Sequence, residues 1–206
     1  MTWDEFTSCV RADLYREEGR RGFATFLRSL WGWPGFRYLF FFRLCQFTKQ
    51  HAPLKFCAYP FARLLYLRTG MKFGIRIPLN CEIGAGLYIG HWGGIWVNPG
   101  VRIGRNCVLG HEVTLGHVSR GPTRGVPEIG DYVYLGPGAK ILGKVRIANH
   151  ALVSANSLVL QDVPEKGVVI GVPARMFSQT GSEGYVTWTV NDGPPPEEIK
   201  TASPAA

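Results

Sequence analysis

From about Ile77 to Val163 the chain sets a branched aliphatic residue every six positions and a small or branched residue four places after it. The pairs run Ile83/Leu87, Val97/Val101, Ile103/Cys107, Leu109/Val113, Ile129/Val133 and Leu135/Ala139, then Ile141/Val145, Ile147/Ala151, Val153/Ser157 and Val159/Val163. A six-residue period marks a parallel β-helix, in which each hexad is a short strand plus a bend. A lone coil cannot bury its inward residues, so coils must stack and hydrogen-bond to one another. Gly, Asn and Asp at the bends suit the positive φ angles of tight corners.

Two places break the count. Ile89 to Val97 is eight residues, an insertion of two at Gly90–Gly94 around His91. Leu115 to Ile129 is fourteen, so eight extra residues loop out between Gly116 and Glu128. Insertions in repeat proteins gather on one face, often the binding face. With three hexads to a coil, Ile89, Leu109, Leu135 and Val153 form one column. His91, His111, Pro137 and Ala155, two places beyond them, then project from one edge. Coils about 4.8 Å apart make that edge roughly 14 Å long, about the reach of a pantetheine arm. An imidazole at one end and small residues towards the other suit a thioester held along the prism.

The segment before the repeat reads as helical. Residues 1–30 set Leu14, Phe23, Phe26 and Leu27 among charged neighbours, and Trp31–Gly35 is a break. Phe36 to Gln50 predicts a helix with a wide apolar arc (Phe36, Phe40, Phe41, Leu44, Phe47) and a polar side of Arg43, Gln46, Lys49 and Gln50. A further helix over Leu54–Arg68 is interrupted near Pro60 and ends at Gly70. The expected division is a helical region over 1–70, a β-helix over 71–177 and a largely unstructured tail over 178–206. Within that tail Tyr185–Val190 alternates as a short strand would.

Charge adds one constraint. The 206 residues carry a formal net charge of +8, which points to anionic partners. Nucleic acid is the first candidate that charge suggests, but Lys and Arg are spread without a sustained basic run, and a polyanionic co-substrate or an anionic membrane face fits as well; no nucleic-acid partner is expected. The five cysteines lack metal-type spacing, and Cys81 and Cys107 fall on inward positions as reduced core thiols, which favours the cytoplasm. No metal is expected. Neither a signal peptide nor a transmembrane span is legible. The aromatic, basic stretch over 31–68 leaves two accounts open, packing within the molecule or contact with a membrane surface.

On these residues the chain resembles the hexapeptide-repeat acyltransferases, and within them the serine acetyltransferase-like group that includes exopolysaccharide O-acetyltransferases. The resemblance covers residues 8–176. It implies an all-β left-handed parallel β-helix with an N-terminal α-helical region, acetyl-CoA as co-substrate and a homotrimer whose subunits close over the acetyl-CoA edge. His91 matches the family's catalytic histidine. Gly136–Gly143 and Gly171–Arg175 match its acetyl-CoA side, which nominates Pro137, Ala139, Lys140, Ala155 and Arg175 for the cofactor. Lys140, Lys144 and Arg175 read either as phosphate contacts or as solvated charges. Arg11-Ala-Asp-Leu14 resembles an acceptor-binding motif, which nominates Asp13, and Arg43 sits where that helical region carries an arginine. His111 either lines the thioester or stacks beside His91, while His51, His117 and His150 read as surface groups.

The departures bear on the acceptor. Arg76 stands where the family has the aspartate that orients the histidine, Val126 where it has a second histidine, and Gly90 where an aspartate often precedes the first. Serine needs charged partners and a sugar hydroxyl needs fewer, so the expectation is a saccharide acceptor bound near Arg76 and His111. Serine O-acetylation is the alternative. In either case a neutral imidazole can take the hydroxyl proton near neutral pH.

Overall fold

The computed structural model describes residues 1–20 and 22–190. Five helices come first: α1 (Trp3–Glu18), α2 (Phe23–Gly32), α3 (Pro34–Gln50), α4 (Ala52–Cys57) and α5 (Tyr59–Phe73). Thr2 and Glu5 form a capping box at the start of α1, and Gly19 ends it in the left-handed conformation at φ 64°. That stop at Gly19 was not legible as a break. The break at Trp31–Gly35 shrinks to Trp33 alone, because Pro34 opens α3 at a position where a missing N–H costs nothing. The interruption expected near Pro60 falls at Ala58, between α4 and α5, with Pro60 in the first turn of α5. The helix runs through Gly70 to a left-handed cap at Gly74. Gly70 stays glycine for packing, since a Cβ there would come within 2.9 Å of the Ile75 carbonyl.

The strands follow in chain order. They are β1 (Ile75–Arg76), β2 (Glu82–Ile83), β3 (Ile95–Val97), β4 (Arg102–Ile103), β5 (Val108–Leu109), β6 (Thr114–Gly116) and β7 (Glu128–Ile129). Then come β8 (Tyr134–Leu135), β9 (Lys140–Leu142), β10 (Arg146–Ile147), β11 (Leu152–Val153), β12 (Leu158–Val159), β13 (Val168–Gly171) and β14 (Ala174–Ser178). They form three sheets ordered β1-β3-β6-β9-β12, β2-β4-β7-β10 and β5-β8-β11-β13-β14, all parallel except the final β13–β14 pair. The chain visits the sheets in turn, so each circuit stacks on the last as a three-sided prism.

The six-residue pattern fills this prism. Leu87, Leu109, Leu115, Val133, Leu135, Ala139, Ile141 and Val153 are all 0 % exposed. Corners fall three residues after the lead position, where Asn106, Glu112, Tyr132, His150, Asn156 and Lys166 have φ of 55–58°. The bend is thus imposed by stacking even on Tyr and Lys, at roughly 1–2 kcal/mol each, and not only on the residues that favour it.

The first coil has no coil beneath it, and the helices close it. Two residues of the polar side of α3, Arg43 and Gln46, turn inward, while Lys49 and Gln50 stay exposed. Arg43 is 1 % exposed and donates to the carbonyls of Ile83 and Gly84, each at 2.6 Å. Gln46 donates to the Leu79 and Cys81 carbonyls at 3.3 and 3.1 Å. The Tyr38 hydroxyl accepts from Ile77 N–H at 2.8 Å, and the Tyr66 hydroxyl donates to the Ile77 carbonyl at 2.5 Å. Open-edge backbone groups buried under a helix need such partners.

At the other end β13 folds back as a hairpin on β14 and caps the last coil with main-chain bonds. Beyond it, Tyr185–Val190 forms turns and bends rather than the expected strand. This segment runs along the prism corners. Ser182 donates to the His150 and Tyr132 carbonyls, and Val190 exchanges two bonds with the Asn106 side chain at 3.1 Å. The part of the expected tail over 191–206, with Pro194–Pro196, lies outside the described residues. Among the described residues no helix is long and apolar enough to cross a membrane.

Candidate active site

The edge anticipated from the column of hexads is present as a stack of corners. Leu109 pairs with Leu135 and Leu135 with Val153, while Tyr88 bridges Val108. Main-chain bonds tie the corners directly: Glu112 N–H to the Gly93 carbonyl at 2.7 Å, Gly138 to His111 at 2.8 Å and Asn156 to Pro137 at 2.8 Å. His91, His111, Pro137 and Ala155 therefore occupy successive levels of one edge.

His91 is exposed on the two-residue bulge. Its ring meets that of His111 edge to face, with centroids 6.1 Å apart. The bulge rests on the helical cap. Trp92 lies edge-on to Phe73 at 6.2 Å, and Ile95 N–H bonds the Gly74 carbonyl at 3.1 Å. A Cβ on Gly35 would fall 2.0 Å from the Ile89 carbonyl, so the start of α3 approaches this corner as only glycine allows.

Arg76 projects from β1 onto the ring of Trp96, its guanidinium carbon 4.5 Å from the centroid. Arg76, Trp96 and Gly94 share the wall of a cleft of about 950 Å³ between α5 and the first two coils. Glu112 is the residue that sequence reasoning missed. Its side chain lies so close over Gly94 that a Cβ there would be 2.8 Å from its Cγ. The signal was available, because Glu112 follows His111 on the same corner. The bulge is thus bordered by a cation and a carboxylate, at Arg76 and Glu112.

Two nominated residues are corrected. Asp13, expected to bind acceptor, is 2 % exposed. One of its carboxylate oxygens meets Arg43 Nε at 3.1 Å and the other accepts from Gly86 and Leu87 N–H at 2.8 and 3.1 Å. Burial pushes the Asp13 carboxyl up, and the Arg43 guanidinium and these N–H donors pull against it. All its bonding capacity goes to the cap. Ala139, expected to touch the cofactor, turns its Cβ into the core and is 0 % exposed.

The remaining nominees lie at the surface. Pro137 is half-buried and Ala155 exposed on the edge itself. Lys140 donates from Nζ to the Glu112 carbonyl, bracing two corners. Arg175 is exposed on β14 next to the prism's last coil, and Lys144 is exposed beside the extruded loop. That loop closes on itself through paired bonds between Val118 and Gly125, and Lys144 N–H donates to the Thr123 carbonyl at 2.8 Å. His117 pairs with Ser119 at 3.3 Å, His51 lies tilted against Phe47 with centroids 4.4 Å apart, and His150 stacks on Tyr132 at 4.7 Å. Cys45, Cys81 and Cys107 are buried free thiols, and burial pushes Cys107 up to about 12.

The site suits the ligand it would hold along the edge. Gly110 and Gly136 keep that wall so flat that a Cβ on either would strike the next coil's backbone at 2.6–2.7 Å. A flat wall of small residues, with cations at Lys140 and Arg175, accepts a thin arm ending in phosphates.

No family model matches the chain. The serine acetyltransferase of Staphylococcus epidermidis is 34% identical over 144 residues, which span 69% of this chain and 68% of that protein. The structure of a Brucella abortus serine acetyltransferase in complex with coenzyme A superposes at TM-score 0.73 with 28% identity, over 87% of this chain and 70% of that one. A soybean serine acetyltransferase complexed with serine superposes at TM-score 0.69 with 31% identity, over 84% of this chain and 70% of that one. These likenesses overturn the saccharide acceptor expected from the missing charged partners, since the relatives on both sides of the comparison are serine acetyltransferases. The physical premise also fails, because Glu112 restores a carboxylate beside the bulge.

Proposed function

Because the chain belongs to the serine acetyltransferase family, we propose that it moves the acetyl group of acetyl-CoA to the hydroxyl of serine, with His91 as general base. It is an acetyl-CoA-dependent acyltransferase. The observation that supports the serine reading is that Gly94, three residues from His91, shares a cleft wall with Arg76 and lies against the side chain of Glu112. A zwitterionic acceptor needs a cation for its carboxylate and an anion for its ammonium, and these two supply them.

The steps follow from the residues present. The imidazole of His91 takes the proton from the serine hydroxyl as its oxygen attacks the acetyl carbonyl. The C–S bond then breaks, and the proton passes from His91 to the departing thiolate. Backbone N–H groups of the bulge would support the transient negative oxygen. His111, edge-on to His91, lines the path of the thioester. Pro137 and Ala155 form the wall for the pantetheine arm, and Lys140 and Arg175 meet the phosphates.

The assembly belongs to the same proposal. The coil winds with the left hand of the family. Three copies close the exposed edge, with the Gly116–Glu128 loop reaching towards the neighbour's site. The free thiols fit a reducing compartment such as the cytoplasm.

His91→Ala is expected to lower kcat about 10²- to 10⁴-fold while leaving the melting temperature unchanged, because the ring is exposed. Steady-state assay with acetyl-CoA against serine and against other hydroxyl acceptors tests both halves. Unchanged turnover in the variant removes His91 from the mechanism. A wild-type enzyme that turns over acetyl-CoA with another acceptor and not with serine overturns the substrate.

A further inference from the structure

From Gly19 to Cys81 the chain holds eleven Lys and Arg residues and not one Asp or Glu. Two accounts were open for its aromatics, and the structure separates them by helix. Those of α3 are consumed inside: Phe36, Tyr38 and Phe42 are 0–1 % exposed. Arg37 is consumed too, bonded to the Leu30 and Trp31 carbonyls and held against the rings of Trp31 and Phe73.

The outer side of α5 is left over. Phe61, Leu64, Leu67 and Met71 are 65, 46, 43 and 78 % exposed. At 3.6 residues per turn they fall within an arc of about 120°. By the same count exposed Lys72 lies about 20° outside one end of that arc, exposed Arg68 about 20° inside it, and exposed Arg63 about 40° beyond the other end. Phe56, at the end of α4, is 80 % exposed and extends the apolar surface beyond the start of α5.

We infer that this arc is a docking surface for a lipid bilayer bearing anionic headgroups. The helix lies flat in the headgroup layer, with its apolar side chains inserted and Arg63, Arg68 and Lys72 on the phosphates. An apolar stripe rimmed by cations on both margins is the pattern of an interfacial helix. Each basic residue near an anionic leaflet adds about fivefold to the affinity. Charge decides against a second copy of the same face. A two-fold contact would set cation on cation, with no acid between Gly19 and Cys81 to relieve them. The inference does not depend on which acceptor is used; Arg63, Leu67 and Met71 also border the cleft of Arg76 and Gly94, while Phe61, Leu64, Arg68 and Lys72 do not line it.

Co-sedimentation of the full chain with vesicles of phosphatidylcholine alone, or mixed with phosphatidylglycerol, tests it at low and high salt. Binding is expected only to the anionic vesicles, weakening steeply as salt rises. The pair Arg68→Glu with Lys72→Glu is expected to lose at least about tenfold in affinity. The pair Phe61→Ser with Leu64→Ser is expected to lose binding while keeping turnover of soluble acceptor and the oligomeric state. Failure of the wild-type chain to bind anionic vesicles at low salt overturns the inference. So does binding that neither pair weakens. A change of oligomeric state in the serine pair, seen by light scattering, identifies the arc as a subunit contact instead and equally overturns it.

Discussion

The two ends of the prism solve one problem with different chemistry. Each leaves a coil whose main-chain groups have no coil beyond to bond. At the far end the chain answers with more backbone: β13 pairs with β11, then β14 folds back antiparallel on β13. At the near end it answers with side chains, through Tyr38, Arg43, Gln46, Tyr66, Asp13 and Arg16. A hairpin cap rests chiefly on main-chain bonds. A side-chain cap depends on every one of its members, and here it includes a buried ion pair, Asp13 with Arg43. The near end also supports the bulge that presents His91, through Phe73, Gly74 and Gly35. Stability and catalysis are therefore coupled at that end and separable at the other.

Removing the ion pair's cation should break the comparison hardest. Arg43→Met leaves Asp13 buried without its partner and orphans two carbonyls, for an expected loss of about 3–5 kcal/mol in urea unfolding. Activity should fall with it, because the bulge loses its footing. A loss below about 1 kcal/mol would mean that the helices merely cover the first coil.

Glu17 sharpens the comparison from the opposite direction. It is 7 % exposed, and among the described residues Oε2 has no hydrogen-bond partner, nor does Nη1 of its neighbour Arg16. Burial, with the nearby Asp13 and Glu18 charges, pushes the Glu17 carboxyl up to about 8. Since the folded pKa exceeds the unfolded one of roughly 4.3, its contribution is intact below that value and is lost as pH rises towards 8. Glu17→Gln should therefore stabilise the protein by about 1–3 kcal/mol at pH 8 and by almost nothing at pH 4. Denaturation of both proteins across that range measures it, and a pH-independent difference would refute the assignment.

At the far end the effects should shrink. Ser157, 0 % exposed, accepts from Gly171 N–H at 3.2 Å. Ser157→Ala is expected to cost about 1 kcal/mol, with KM for acetyl-CoA rather than kcat absorbing any kinetic change. Phe177, 74 % exposed on β14, should tolerate Ser within about 0.5 kcal/mol. A larger penalty by thermal melting would show that this end leans on side chains after all.

Much of the molecule was written in its sequence, for reasons that differ by region. The six-residue period determined the stacked coils, their inward residues and the shared edge of His91, His111, Pro137 and Ala155. In a repeat, each residue's neighbours lie at a fixed separation along the chain, so pattern alone places them. The two interruptions located the bulge and the loop by the same arithmetic. What only the tertiary structure decided lies where contacts join distant segments without a period. Arg43 and Gln46 read only as part of a helix's polar side, and it took the open coil edge to show what they bond. Asp13 read as a ligand contact until its carboxylate met Gly86 and Leu87, 73 and 74 residues away. Ala139 was nominated for the cofactor through the resemblance of Gly136–Gly143, yet its inward place in the six-residue pattern, after the corner at Gly138, is the one it takes in the core. Glu112 entered the site only when Gly94 was brought beneath it. The period fixes which residues stack, and the pairing of polar groups left over by that stacking is settled in three dimensions.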